Sequence, residues 1–265
     1  MTPSLSVFVN TCDAYEDCWA PFFQLFERYW QGPPPQIILN TEEKTFAYSG
    51  LDITCTQVGL GRDGGRISWG EQLRRGLAKV QNEIVLYMHE DFFLQAPVDI
   101  DTIQKCHEVI RSDRTIAAIR LHELGGSGPW TPSEHPFLWE VAKKSPYRVS
   151  LQAGFWRTER LGSFVRPHEN PWQFEIWGSK RLRWRRDRVL CMNRDQFVPE
   201  THPVLPYPCD DTVKKGKWNR DIVCDLFASN GIEVDFAKRG FLEPNIPDRK
   251  DPLARRVFAR ARSIV

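Results

Sequence analysis

Residues 84–94 read IVLYMHEDFFL: an apolar run enters His89, Glu90 and Asp91, then resumes at Phe92, Phe93 and Leu94. Imidazoles and carboxylates are the side chains that bind metals and move protons, and inside an apolar stretch they need partners. In an extended chain, side chains alternate faces, so His89 and Asp91 point one way and Glu90 the other. Two such groups at a strand's carboxyl end can jointly grip one metal ion or one phosphate-bound metal. An aspartate oxygen suits Mg²⁺ or Mn²⁺, whereas imidazole is tolerable to Mn²⁺ and poor for Mg²⁺. The competing explanation is a solvated strand end. Against it, the apolar residues that follow keep the acids in a half-buried setting.

A second carboxylate of interest is Glu175, in ENPWQFEIWGSKRL (169–182). Asn170 as N-cap, Pro171 at the first helical position and Gln173 two residues further predict a helix start there. Glu175 falls in its second turn, with Trp172 and Ile176 as candidate walls. Apolar walls desolvate a carboxylate and raise its pKa toward the range of a general base. An exposed glutamate on an amphipathic helix is the alternative. Thr11 and Asp13 follow the first strand signal, and Asp13 with Glu16 also fits a capping box. The loop GLGRDGGRISWGE lacks G-x-x-x-x-G-K-[ST] and does not fit a dinucleotide fingerprint. A helix N-terminus behind glycines still favours an anion, which makes Arg62, Asp63 and Ser68 candidates. Lys214, Lys215 and Lys217 concentrate charge in DDTVKKGKWNR, either as a solvated run or as a diphosphate site.

These groups need a scaffold. Short β-rich runs at 6–10, 36–40, 52–58, 83–88 and 115–121 alternate with helical patterns. One helix carries Trp19, Phe22, Phe23, Phe26 and Trp30 on its buried face and stops at GPPP (32–35). Another opens with the Ser68/Glu71 capping pattern and buries Leu73, Leu77 and Val80. A third, 101–112, turns Ile103, Cys106 and Ile110 inward. The order predicts an α/β fold: a single Rossmann-like domain whose mostly parallel central sheet carries helices on both faces, with ligands at the strands' carboxyl ends. The second half is less regular, with one more strand expected over 147–156. Residues 1–121 are expected to bind the nucleotide and 122–265 to shape the second substrate.

Composition narrows the classes. Thirty-six Lys and Arg against 34 Asp and Glu give a net charge of +2, which offers no basic excess for nucleic acid. Ten Trp and 16 Phe suit aromatic-lined grooves as well as a core. Seven scattered Cys have no C-x-x-C pair, so reduced thiols and a cytoplasmic location are expected. The N-terminus has no signal-peptide pattern, and no stretch approaches the roughly 18 apolar residues of a membrane span. The basic, partly apolar ending ARRVFARARSIV offers a peripheral contact with an anionic membrane surface. Neither a zincin motif nor a G-x-S-x-G elbow is present.

Four stretches, VNTCDAYEDCWAPFFQLFERYW, SWGEQLRRGLAKVQNEIVLYMHEDFFL, VSLQAGFWRTERL and ENPWQFEIWGSKRL, occur in that order along about two thirds of the chain. In this combination the chain resembles nucleotide-sugar-dependent glycosyltransferases of the GT-A fold, especially bacterial enzymes of capsule and cell-surface polysaccharide synthesis. The resemblance implies an acidic motif after the fourth strand that holds a divalent cation on the donor's diphosphate. HED stands at that place, with Asp91 matching the final acid and His89 departing from the first. That departure leaves two options, a Mn²⁺ or Mg²⁺ site at Asp91 and His89, or metal-independent neutralisation by Lys and Arg. The resemblance further implies Glu175 as catalytic base of an inverting transfer to a glycan or lipid-linked acceptor. It implies contacts to the nucleotide-sugar donor from Thr11 and Asp13. Glu90 would orient the donor sugar or brace a neighbouring backbone amide, and Arg62, Asp63, Ser68 and the lysine cluster would complete the donor site. Two other functions fit the same residues: a nucleotidyltransferase acting on a sugar phosphate, and an inactive carbohydrate-binding or assembly protein.

Overall fold

The computed structural model describes residues 5–122, 128–198 and 200–243. In its first half β1 (Ser6–Asn10), α1 (Glu16–Tyr29), β2 (Gln36–Asn40), β3 (Ile53–Cys55), α2 (Trp69–Leu77) and β4 (Ile84–His89) follow one another. Then come α3 (Ile100–Ser112), β5 (Ile116–Arg120), β6 (Trp130–Pro132), β7 (Leu138–Val141), β8 (Gly154–Arg157) and α4 (Thr158–Phe164). The chain continues through α5 (Pro171–Leu182), β9 (Arg188–Met192), the hairpin β10 (Val213–Lys214) and β11 (Lys217–Trp218), and α6 (Arg220–Asn230). Nine strands form one sheet in the order β3-β2-β1-β4-β8-β5-β9-β7-β6. β3, β2, β1 and β4 are parallel, β8 runs against both β4 and β5, β9 is parallel to β5, and β7 opposes both β9 and β6. Only β8 and β7 therefore run against the common direction, and the expected mostly parallel α/β sheet is what the chain forms.

Alternation along the strands sorts the core into two layers. Val7, Val9, Ile37, Leu39, Leu86 and Met88 face the helix side built by α1, α3 and α6. Phe8, Ile38, Val85 and Tyr87 face α2, α4 and α5. Both faces being covered explains why the strands read as continuous apolar runs. Register brings Asn10 level with Asn40 on one side and His89 on the other, so three parallel strands finish in one row.

Several local expectations are corrected. Tyr15, not Asp13, is the residue before α1, and no side chain caps that helix. Ser68 does precede α2, but its hydroxyl bonds to the carbonyl of Pro167 rather than to the helix, and Glu71 pairs with Arg74 and Arg75. The Asn170–Gln173 capping box is present, with bonds of 2.9 and 3.1 Å. β3 stops at Cys55 rather than near 58, because Gln57 adopts a left-handed conformation (φ 47°) that an extended strand does not allow. The strand expected over 147–156 is reduced to β8. Its leading amides at Val149 and Leu151 bond to Ser179 and Glu175 side chains on α5 instead of joining a ladder. The second half also proves more regular than its composition suggested, since β6, β7 and β9 extend the sheet. The basic ending at 254–265 lies outside the described residues.

Candidate active site

The strand end that carries His89 turns sharply. Phe92 N–H donates to the His89 carbonyl at 3.2 Å, so Glu90 and Asp91 occupy a turn and not an extended strand. Alternation therefore stops at His89, and the pairing of His89 with Asp91 on one strand face does not carry past it. The His89 ring meets Tyr87 Oη at 3.1 Å through Nε2 and also bonds to the backbone of Asn10. Its Nδ1 lies 3.9 Å from Glu90. Burial lowers its pKa to about 4, so the imidazole is neutral at pH 7.

Glu90 is buried, and desolvation followed by repulsion from Asp91 pushes its pKa well above the carboxylate range. Burial also lifts Asp91 to about 7, with Asp211 adding to the effect and Arg239 opposing it. Arg239 is held by Asp17 at 2.8 Å and lies over the Tyr15 and Trp218 rings. Thr212 donates to the Asp91 carbonyl at 2.7 Å, which anchors the β10–β11 hairpin beside the turn. Lys215 (φ 52°) and Gly216 (φ 75°) form its two-residue turn, the geometry that hairpins of this length favour. Lys214, Lys215 and Lys217 are exposed on this hairpin. Through Thr212 the structure thus brings the hairpin that carries these lysines beside the Asp91 backbone, across 121 residues of sequence.

The floor beneath is a buried polar network. Asn40 donates to Asn10 (2.8 Å) and accepts from Thr56 (2.9 Å). Gln72 on α2 donates to the Thr11 carbonyl (2.8 Å) and more distantly to that of Asn40 (3.3 Å). The Thr11 hydroxyl accepts from the Trp19 indole at 2.8 Å. Asp13 accepts three backbone N–H bonds from Glu42, Glu43 and Lys44, at 2.9, 2.9 and 3.0 Å. Thr11 and Asp13 are thereby committed to holding the ends of β1 and β2. Arg62 and Asp63 stay exposed in the glycine loop, where Asp63 accepts from Gly65. The loop residue that reaches this end of the sheet is Arg66, bonded to buried Glu42 at 2.7 Å and close to Cys12. The N-terminus of α2 does not stand open to an anion. Gly70 N–H donates to the Glu169 carbonyl, and a Cβ at Gly70 would lie 2.1 Å from the Arg166 carbonyl oxygen.

Glu175 is walled differently from expectation. Trp172 and Ile176 are 71% and 39% exposed, so neither encloses it. Its Oε1 accepts from Leu151 N–H at 2.8 Å, and Ser150 and the buried Arg120 lie close. Burial still dominates and raises its pKa. A run of rings joins this side to the acidic turn. Phe92 stacks on Tyr207 (4.4 Å), and Tyr207 stacks on His122 (4.3 Å). Tyr207 Oη accepts from Ala153 N–H, two residues beyond Leu151.

Arg66, Arg239, His122 and Tyr207 were missed at the level of sequence: Arg66 sits in the glycine loop, where Arg62 and Asp63 looked the better candidates, and the other three sit in no motif. His122 is 1% exposed, and both ring nitrogens lack a hydrogen-bond partner among the described residues. Its position just after the fifth strand signal was the one available clue.

The acidic turn can be tested as a cation site. Desolvation raises the pKa of both adjacent carboxyls, and Asp91 raises that of buried Glu90 further. A divalent cation relieves this unfavourable crowding of negative charge, and their oxygens are the hard donors Mg²⁺ and Mn²⁺ prefer. Among the described residues, no group of three or more His, Cys, Asp or Glu side chains converges to hold a metal. The turn therefore fits a cation completed by phosphate oxygens and water, not an all-protein cage. The imidazole of His89 is engaged with Tyr87 and the Asn10 backbone, and its Nδ1 lies 3.9 Å from Glu90.

No protein-family model matches the chain, and no curated protein does. Among solved structures, S. aureus TarS 1-349 aligns over 71% of this chain and 57% of its own, with 14% identity and a TM-score of 0.47. Glucosyl-3-phosphoglycerate synthase from Mycobacterium tuberculosis, in complex with Mn2+ and uridine-diphosphate-glucose, aligns over 88% of this chain and 80% of its own. That match has 15% identity and a TM-score of 0.46. The chain thus spans little more than half of the TarS 1-349 chain. No helix among the described residues is long and apolar enough to cross a membrane.

Proposed function

We propose that this protein is an inverting glycosyltransferase, moving a sugar from a nucleotide-sugar donor to a hydroxyl of a glycan or lipid-linked acceptor. Surface polysaccharide biosynthesis on the cytoplasmic side of the membrane is its setting. The observation that carries the reading is the pairing of two unlike acidic sites at one end of a mostly parallel sheet. One is the Glu90–Asp91 turn. The other is Glu175, raised by burial and held by Leu151 beyond the Phe92–Tyr207 stack.

In this reading Glu175 accepts the proton of the acceptor hydroxyl as its oxygen attacks the donor's anomeric carbon. The new C–O bond forms as the bond to the diphosphate breaks, and the nucleoside diphosphate leaves with both electrons. Asp91, with Glu90 behind it, would hold a Mn²⁺ or Mg²⁺ ion, which would supply electrostatic stabilisation of the departing diphosphate. Lys214, Lys215 and Lys217 on the hairpin add positive charge from the other side. The nucleotide is assigned to the ends of β1 and β2, where Thr11 and Asp13 shape the backbone and Arg66 contributes a cation. Arg62, Asp63 and Ser68 take at most a peripheral part, because Asp63 and Ser68 already have protein partners.

Calorimetry with UDP, GDP and CMP, with and without Mn²⁺, followed by a nucleotide-sugar screen for donor hydrolysis, tests the proposal. Binding of one nucleoside diphosphate and slow hydrolysis of its sugar conjugate are expected. Absence of nucleotide binding under every condition would sink it, as would release of pyrophosphate from a nucleoside triphosphate and a sugar phosphate.

A further inference from the structure

Five large hydrophobic side chains stand exposed among the described residues: Tyr147 (44%), Trp172 (71%), Ile176 (39%), Trp184 (91%) and Val198 (36%). Isolated cases are ordinary, but a gathered set is not. Four of these five belong to one surface. Trp172, Ile176, Lys180 and Arg183 recur at intervals of four, four and three residues, which puts them on one side of α5 and its end. Trp184 follows in the next turn. Tyr147 lies on the segment packed along the same helix. That packing is explicit: Arg183 donates to the Lys144 carbonyl (3.2 Å), Arg148 to the Leu182 carbonyl (3.2 Å), and Val149 N–H to Ser179 (2.9 Å).

Charge on this surface has one sign. Lys143, Lys144, Lys180, Arg183 and Arg186 are exposed. The acids of the two segments are all turned elsewhere. Glu169 is buried against Arg181, Glu175 accepts from Leu151, and Asp187 is held by Arg160 and Arg185. Exposed tryptophans ringed by lysine and arginine match the boundary of an anionic bilayer, where indole rings sit at headgroup depth and cations meet lipid phosphates. A protein partner would more often meet a patch of mixed charge, and single-stranded RNA a charged groove rather than the outside of a helix.

We propose that the outer face of α5, with the 143–147 segment beside it, docks the protein on a membrane surface rich in anionic lipid. The face stands without the reaction assigned above. Its consequence, that a lipid-linked acceptor arrives at Glu175 from the same helix that touches the bilayer, rests on that reading.

The test is flotation of the full chain with vesicles of phosphatidylcholine alone and of phosphatidylcholine mixed with phosphatidylglycerol. Binding to the mixed vesicles, weakening as salt is raised, is expected. Lys180→Gln and Arg183→Gln should each reduce it about five-fold. Trp172→Ala and Trp184→Ala should each reduce it about ten-fold with melting temperature unchanged, since these side chains are exposed. Equal flotation of wild type and these variants overturns the proposal. So does equal binding to neutral vesicles, or binding to polyuridine RNA in place of vesicles. Neutralising Arg255, Arg256, Arg260 and Arg262 together is the matched control, and loss of flotation there but not in the α5 variants also overturns it. Because flotation requires no donor and no turnover, its failure leaves the glycosyltransferase proposal standing. Failure of the nucleotide screen likewise leaves the docking face standing.

Discussion

Oε1 of Glu175 accepts a hydrogen bond of 2.8 Å from the backbone N–H of Leu151, tying α5 to the segment that enters β8. Burial raises the carboxyl's pKa even though that bond, Arg120 and Ser150 all work to lower it. A group in this state takes up a proton more readily than an exposed glutamate.

Glu175→Gln should therefore reduce transfer about 10²- to 10⁴-fold while leaving calorimetric nucleotide affinity unchanged. The base must be ionised to act, so kcat in the wild type should fall as pH drops through the raised pKa. The acidic limb of the profile should lie above the ordinary value of 4.5. A limb at or below that value contradicts the assignment.

The acidic turn makes a separate prediction. Asp91→Asn should weaken binding of a nucleoside diphosphate measured in Mn²⁺ by about ten-fold or more, consistent with losing one charge-assisted contact. Chelation with EDTA should bring wild type down to the level of the variant. Equal affinity of the wild type with and without metal would shift the diphosphate to the lysine hairpin, and Lys214→Ala and Lys217→Ala would then carry the loss.

His122 provides a stability test that does not depend on turnover. Its folded-state pKa is lowered from 6.5 to about 4 by burial. The unfolded chain thus binds a proton that the folded one refuses between these values. The stabilisation is complete above about pH 6.5 and is lost as pH falls toward 4. His122→Phe, which keeps a ring against Tyr207, should flatten this part of the melting-temperature profile, by at most ~3 kcal/mol. An unchanged profile would contradict the burial argument.

Gly76 is the sharpest packing prediction. A Cβ there would lie 2.2 Å from Oδ1 of Asn40, whose amide bridges to Asn10. Alanine inside a helix ordinarily stabilises by about 1 kcal/mol over glycine. Here Gly76→Ala should instead destabilise by about 1–3 kcal/mol, the cost of overpacking a filled site. Chemical denaturation would read the sign directly.

The α/β order and the strands β1, β2, β4 and β5 were legible because each is a short apolar run with its own turn signals. The helix at 171–182 was legible because its capping box is entirely local. Elements with weak local pattern were not: β6, β7 and β9 draw their stability from neighbours already in the sheet, and α4 and α6 have no start signal of comparable strength. Asp13 and Ser68 show the limit in single residues. Both matched a capping pattern, and both found better partners in chain segments 29 and 99 residues away.

By itself the sequence determined which chemical groups are available, and that His89, Glu90 and Asp91 arrive at the carboxyl end of a buried strand. Tertiary structure alone decided that the chain turns at Glu90, that the charge of Arg239 acts on Asp91 and the lysine hairpin is anchored beside it through Thr212, and that Glu175 is bordered by Ser150, Leu151 and Arg120 rather than by Trp172 and Ile176. The reason is one of range. Side-chain periodicity and caps act over a few residues, whereas the pKa of a carboxyl depends on whatever the strand order and loop packing place beside it.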